Sequence, residues 1–374
     1  RTREDGYHRL DGAFRNWLLS INASQDEIEI KAEYQGTYDD TITKLKAAMQ
    51  SDSGLPDVCQ MYDVGTKFMY DSGAVIPVED KFESTGYDKS SVMEVISSYY
   101  TVDGKQYAMP FNVSTPMLYY NKDVFEAAGL DPETPPTTYD EVLEDAKKIV
   151  ESGAAPVGYS QAIYGWFFEQ QLAGLGVTYG NNDNGRKEAV TAVDFDSNGG
   201  GLKVFDMWKK LYDSGYFEDY GTTTADTQTA FFSGQVGMII ESTAILKNAV
   251  DSSPFEVGTG YLPRIEQNDE GGVIIGGGSL WLTDTGNEAN EDAAWKFIEY
   301  ITTPDVQAKW SMGTGYFAIN EKAYETEDMK AYLKENPNFE TAINQLKDSP
   351  VNCNTAGVLS GVQTEARLTF NEIM

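Results

Sequence analysis

The chain has 374 residues, 41% of them apolar, and carries a formal charge of −31 at pH 7. That length exceeds one ordinary core and predicts two domains. The acidic balance disfavours nucleic-acid phosphate as a partner, and a single histidine, His8, argues against His-based zinc sites and Ser-His-Asp catalysis.

Cys59 and Cys353 match no metal spacing, and they suit one disulfide or two separate buried thiols equally well. No apolar run reaches the roughly 20 residues of a membrane span. No signal peptide is recognisable, as in a trimmed chain.

Residues 1–9 show no clear element. Leu10, Phe14, Trp17, Leu18 and Ile21 recur at helical spacing. Residues 27–34 alternate apolar with charged side chains and predict a strand, followed by a loop at 36–38 and a helix over 39–50 with Ile42, Leu45 and Met49 on one face. A second strand over 55–62 ends at Asp63, and a short helix follows over 67–73 with a glycine stop. Residues 107–123 read as an extended segment, because Pro110 and Pro116 push their predecessors out of helical geometry. Met117 to Tyr120 form an apolar strand there, and Asn121 can cap a helix that stops at Gly129. An irregular Pro-flanked segment feeding a buried strand suits a crossing between lobes; an ordinary loop and strand fits the bare residues as well.

Thr138 and Glu141 predict a capping box ahead of a helix with Leu143, Ala146, Ile149 and Val150 on its apolar face. An aromatic helix start with Trp166 follows, then a polar, Gly-rich surface loop over 181–201. A helix presents Leu202, Phe205, Trp208, Leu211 and Tyr212. AFFSGQVGMII (230–240) reads as helix end, Gly turn and buried strand, ending at Glu241, Ser242 and Thr243. A strand over 255–263 leads to a second crossing near 264–268, then GGVIIGGGSLWL (271–282). Helices are predicted over 291–301 and 305–311, a third crossing begins at GTGY (313–316), and the remainder, including QTEAR (363–367), is helical. Alternating strands and helices predict mostly parallel sheets, with ligands gathered at the carboxyl ends of strands.

Among candidate residues, Gly276, Gly277 and Gly278 let backbone N–H groups approach a ligand closely. They form neither a P-loop nor a dinucleotide fingerprint, and a tight turn explains them equally well. Arg367 offers a fork for an anion, although a lone arginine is more often a surface ion-pair partner. Asp63 can accept bonds from two ligand hydroxyls or cap a helix. Ser114, Ser242, Tyr316 and Tyr38 are hydroxyl donors at strand ends and crossings, and Trp166 suits either stacking on a ligand or core packing. Trp208, Trp295 and Trp310 lie on helical apolar faces and read as core.

The run PFNVSTPMLYYNKDVFEAAGLDP (110–132) resembles the first interlobe crossing of family 1 extracellular solute-binding proteins, the receptors of ATP-driven ABC importers. The resemblance is clear from NASQD (22–26) onward and extends over nearly the whole chain except its start. It is most similar to the glycerol-3-phosphate-binding branch. It implies an α/β fold of two lobes, each a mostly parallel sheet flanked by helices, joined by three crossings. The expected lobes are 10–111 with 265–312 and 112–264 with 313–374, with 1–9 unassigned.

The resemblance also implies a ligand shell of Tyr38, Asp63, Ser114, Trp166, Ser242, Gly277, Tyr316 and Arg367, with Gly277 and Arg367 on the phosphate and Trp166 stacked on the carbon skeleton. The branch carries Glu where Asp63 stands, so the carboxylate is kept with one methylene less reach. No metal, cofactor or catalytic residue is implied. The expected partners are a small molecule and the permease subunits, and a monomer is expected. So is an extracytoplasmic location, either as a cell-surface lipoprotein or free in the periplasm. Because the family usually extends its last helix further, a C-terminal truncation is expected. Two other functions compete. The same fold can bind a neutral sugar, served by 12% aromatic residues; an enzyme such as a glycoside hydrolase would need a carboxylate pair that no motif among the 59 acidic residues supplies.

Overall fold

A computed structural model describes Leu18 and residues 21–23, 25–51 and 54–373. The expectations for residues 1–9 and for Leu10, Phe14 and Trp17 lie outside the described residues; Leu18 and Ile21 are buried. The predicted strand over 27–34 is not formed. That stretch is largely exposed and joins no sheet, and the backbone of Ile30 bonds instead to the Asn22 side chain.

Helix α1 (Tyr38–Met49) starts one residue earlier than expected, because Thr37 and Asp40 form a capping box. Tyr38 is therefore the first helical residue rather than part of a loop. Strands β1 (Val58–Tyr62), β2 (Val75–Ile76), β3 (Thr101–Val102), β4 (Lys105–Gln106), β5 (Met109–Ser114) and β6 (Pro116–Asn121) follow. Helix α2 (Tyr139–Ser152) carries the expected Thr138–Glu141 capping box and ends at Gly153 in the left-handed region. After β7 (Val157–Ser160) come helix α3 (Gly165–Gly174), helix α4 (Gly200–Asp213), β8 (Val236–Ser242), β9 (Val257–Gly260) and β10 (Gly276–Thr283). The last described helix is α5 (Gln363–Ile373).

The strands form two four-stranded sheets and the small β3–β4 hairpin. In the first sheet β10 pairs antiparallel with β1 on one side and with β2 and β5 on the other. In the second the order is β7-β8-β6-β9, and only β7 and β8 are parallel. The two-lobe α/β architecture stands, but the expectation of mostly parallel sheets is corrected. The strands that return from each crossing, β6 and β10, run against their neighbours, so the first sheet is paired antiparallel throughout and the second is mixed.

The chain passes from sheet to sheet at Thr115, between β5 and β6, whose residues are all buried. Thr115 and Thr243 fix this point by exchanging two bonds, from Thr115 N to Thr243 Oγ1 (3.1 Å) and from Thr243 N to Thr115 O (2.7 Å). Pro110 lacks an N–H, and the β5–β10 ladder accommodates it through a register shift between Gly278 and Ser279.

Two further expectations are corrected. On α4 the buried face is Val204, Met207, Trp208 and Leu211, while Leu202, Phe205 and Tyr212 are exposed. The stretch 181–201 is more than a surface loop. Asn182, Asp183 and Asn184 all have positive φ, and Asn184 is buried with its amide on the Cys353 carbonyl. Arg186 is wrapped by the carbonyls of Tyr99, Thr101, Ala356 and Gly357, and burial lowers its pKa to about 10. Cys59 and Cys353 are separate free thiols. Trp208 and Trp295 are core; Trp310 is only partly buried, stacked between Phe111 and Tyr316. No described helix is long and apolar enough to cross a membrane.

Candidate functional site

Arg367 is the centre of the arrangement. Helix α5 lays its backbone against Gly165, the first residue of α3, where an added Cβ would come within 3.1 Å of Arg367 Cα. The guanidinium then reaches two carboxylates. Nε and Nη2 donate to Glu169 Oε1 and Oε2, both at 2.7 Å. On the other edge Nη2 and Nη1 donate to Asp63 Oδ2 and Oδ1 at 3.1 and 3.4 Å. All three side chains are at least 85% buried. Burial opposes the charge on Arg367, yet Asp63 and Glu169 hold its pKa well above the ordinary value.

Asp63 stands at the end of β1 in the first sheet's lobe, whereas Glu169 and Arg367 come from α3 and α5 beside the second sheet. Tyrosines enclose the cluster. Burial pushes Tyr62 up to about 12, and it raises Tyr99 and Tyr164 well above the ordinary phenol value. Their hydroxyls therefore stay neutral at physiological pH. Tyr62 also shares a hydrogen bond with Thr364 of α5 at 2.9 Å.

Of the other predicted residues, Tyr38, Gly277, Trp166 and Ser114 are linked to one another or to Tyr62, the neighbour of Asp63, whereas Ser242 and Tyr316 are held by contacts outside the cluster. Tyr38 stacks on Tyr62 with centroids 5.0 Å apart, and its hydroxyl accepts from Asn112 Nδ2 at 3.0 Å. Gly277 lies on the Asn112 backbone with φ +102°; a Cβ there would meet the Asn112 carbonyl oxygen at 1.9 Å, so only glycine fits. Trp166 covers the neighbouring Gly276, where a Cβ would meet its ring at 2.8 Å. The indole N–H of Trp166 is buried without a hydrogen-bond partner among the described residues, as is that of Trp208. Ser114 is the register partner of Gly276 and is buried.

Ser242 and Tyr316 are placed by the crossings. Ser242 pairs in register with Pro116 and caps the following turn by accepting from Ala244 N. Tyr316 stacks on Trp310 beside Phe317, which bridges to Val113. Asp63 and Arg367 are in direct contact, Trp166 and Gly277 are adjoined through Gly276, and Tyr38 is adjoined through Asn112.

Sequence reasoning missed Glu169, Asn112 and Tyr62. Glu169 left a readable trace: it opens the buried polar run Glu169-Gln170-Gln171 inside an otherwise aromatic and apolar helix. A carboxylate in such a place needs a buried cation. Gln170 and Gln171 have structural work instead, clamping the Ile274 backbone and the Tyr139 hydroxyl. No described group of His, Cys, Asp and Glu is placed to hold a metal ion.

A buried polar cluster thus joins Asp63, at the end of a strand of the first sheet, to Glu169 and Arg367 beside the second. Residues 19–341 match the family model of bacterial extracellular solute-binding proteins, and the chain belongs to that family. It is 34% identical over 376 residues to the sn-glycerol-3-phosphate-binding periplasmic protein UgpB of Brucella abortus, covering 98% of this chain and 86% of the relative. To the protein of that name from Escherichia coli it is 30% identical over 377 residues, covering 98% and 85%. Among solved structures, the cyclic α-maltosyl-1,6-maltose binding protein of Arthrobacter globiformis superposes with a TM-score of 0.79 at 25% identity, covering 97% and 89%. UgpB of Mycobacterium tuberculosis in complex with glycerophosphocholine gives 0.79 at 22%, covering 97% and 94%. The protein is thus an extracytoplasmic binding component of an ABC importer, which carries a small molecule to permease subunits, and is not an enzyme.

Proposed function

We propose that the chain captures glycerol 3-phosphate or a glycerophosphodiester between its lobes and delivers it to the permease on hinge closure. The observation that carries this reading is the Arg367 guanidinium, buried between the lobes with its looser edge turned toward Asp63. An anionic oxygen pair that displaces Asp63 finds a planar two-donor fork. Gly277 brings backbone to the same neighbourhood, and the orphan Trp166 N–H supplies a further donor. The full-length similarity to two glycerol-3-phosphate-binding proteins supports the same ligand class. The long-range repulsion of a −31 protein is screened beyond about 8 Å at physiological salt, so local donors decide affinity.

In this reading the lobes are 10–111 with 265–312 and 112–264 with 313–374, and the ligand shell is Tyr38, Asp63, Ser114, Trp166, Ser242, Gly277, Tyr316 and Arg367. The receptor acts as a monomer. One observation favours a second ligand class. Asp63 and Glu169 are two buried carboxylates beside an indole, a set that also suits the hydroxyls of a neutral sugar.

Calorimetric titration with sn-glycerol 3-phosphate, glycerophosphocholine and maltose, repeated with Arg367→Ala, decides between them. Micromolar or tighter binding of a glycerophosphate that is lost in the variant supports the anion receptor. Binding of maltose alone, untouched by the substitution, overturns it.

A further inference from the structure

Glu169 is not part of the ligand shell proposed above, yet it makes the tightest contacts of the cluster. Its carboxylate covers the Nε–Nη2 side of Arg367 in a two-bond fork and accepts a third bond from Gln363 Nε2 at 2.7 Å. Asp63 holds the remaining edge more loosely, at 3.1 and 3.4 Å. Two carboxylates against one guanidinium leave the buried cluster with one negative charge. The hydroxyls around it, on Tyr62, Tyr99, Tyr164 and Tyr179, are neutral phenols and compensate nothing. Asp39, near the Tyr62 hydroxyl at 3.4 Å, adds a further carboxylate, and the buried Glu241 faces Tyr164 from β8. No second cation is described on the cluster.

We propose that Glu169 is the positioning residue that sets the charge of the ligand this site accepts. Resting on the glycerophosphate reading, it selects a phosphodiester, with one negative charge, over a phosphomonoester. By occupying one side of Arg367 it leaves a single donor edge for the ligand, and its own charge opposes any second charge on the phosphate. A monoester carries about −1.5 to −2 near pH 7, because its second pKa is about 6; a diester carries −1 throughout. At the effective dielectric of a protein interior, one extra like charge within several ångströms weakens binding by roughly tenfold or more.

The test compares glycerophosphoglycerol, a diester with an uncharged headgroup, with sn-glycerol 3-phosphate. Each is titrated calorimetrically at pH 5.0, 6.0 and 8.0 on the wild type, Glu169→Gln and Glu169→Asp, with thermal unfolding of each variant recorded. The readout is the ratio of the two affinities, and Glu241→Gln is titrated alongside, because ionisation of Glu241 near pH 7 would also oppose the monoester's second charge. In the wild type the diester should bind roughly tenfold tighter at pH 8.0, with the gap closing as the monoester takes its second proton near pH 6. Glu169→Gln should reduce the gap at pH 8.0 by a similar factor and flatten its pH dependence. Glu169→Asp, which keeps the charge, should preserve the gap. A gap of unchanged size in Glu169→Gln, or a wild type that prefers the monoester at pH 8.0, overturns the inference while leaving the glycerophosphate reading intact. Binding of neither phosphate, with maltose bound, overturns that reading and this inference with it.

Discussion

A buried charge is costly without a partner, and the Arg367 cluster shows how strongly partners depend on one another. Arg367→Met leaves Asp63 and Glu169 buried without their cation, which should cost about 3–5 kcal/mol in urea unfolding. The combined replacement Asp63→Leu, Glu169→Met and Arg367→Met should recover most of that loss, since packed apolar groups can replace a buried ion cluster. Ligand binding should stay absent in both proteins. A triple variant no more stable than the single one would mean that the charges hold the lobes by more than mutual compensation.

Glu241 gives a second prediction at this scale. It is buried, accepts from Gln228 Nε2 at 2.8 Å and from Ser242 N at 2.6 Å, and burial raises its pKa from 4.5 to about 7. The native state keeps its proton where the unfolded chain has lost it. Stability attributable to this group is therefore fully present below about pH 4.5, falls as pH rises to about 7, and is level above that. The span is a few kcal/mol. Denaturant unfolding between pH 5 and 8 should show this decline in the wild type and a flatter profile in Glu241→Gln.

At the scale of elements, local chemistry sets helix starts and packing sets helix faces. Thr138 accepts from Glu141 N at 3.2 Å while the Glu141 carboxylate accepts from Thr138 N at 3.2 Å, so the start of α2 was readable from four residues. Thr138→Ala should cost about 0.5–2 kcal/mol, measured by thermal or urea unfolding, without altering ligand affinity. On α4 the same kind of reading found the helix but misjudged its face. Leu202, Phe205 and Tyr212 are as apolar as Val204 and Met207, and only the position of α3 decides which set is covered. The strand expected over 27–34 failed for a related reason: alternation makes a face, but a strand also needs a ladder partner.

For the whole molecule, charge is the dominant non-specific force. Most described ion pairs lie on the surface, where each is worth about 0–1 kcal/mol, while the excess of acidic residues repels throughout. Screening should therefore stabilise the fold. Raising ionic strength from about 0.01 to 0.15 M shortens the Debye length from about 30 to 8 Å and should raise Tm. A falling Tm would mean that the surface pairs outweigh the net repulsion.

The sequence by itself determined the family, the α/β class, the Pro-flanked crossing at 110–116 and the glycine at 277, because local stereochemistry and a long motif are written in consecutive residues. It also named Asp63 and Arg367, 304 positions apart, without saying that they touch. Tertiary structure alone decided that Arg367 is shared by two carboxylates, that Glu169 is one of them, and that antiparallel pairs predominate in both sheets. Those features depend on which segments meet in space. Charge pairing and strand order are properties of that meeting and leave little periodic trace in the chain.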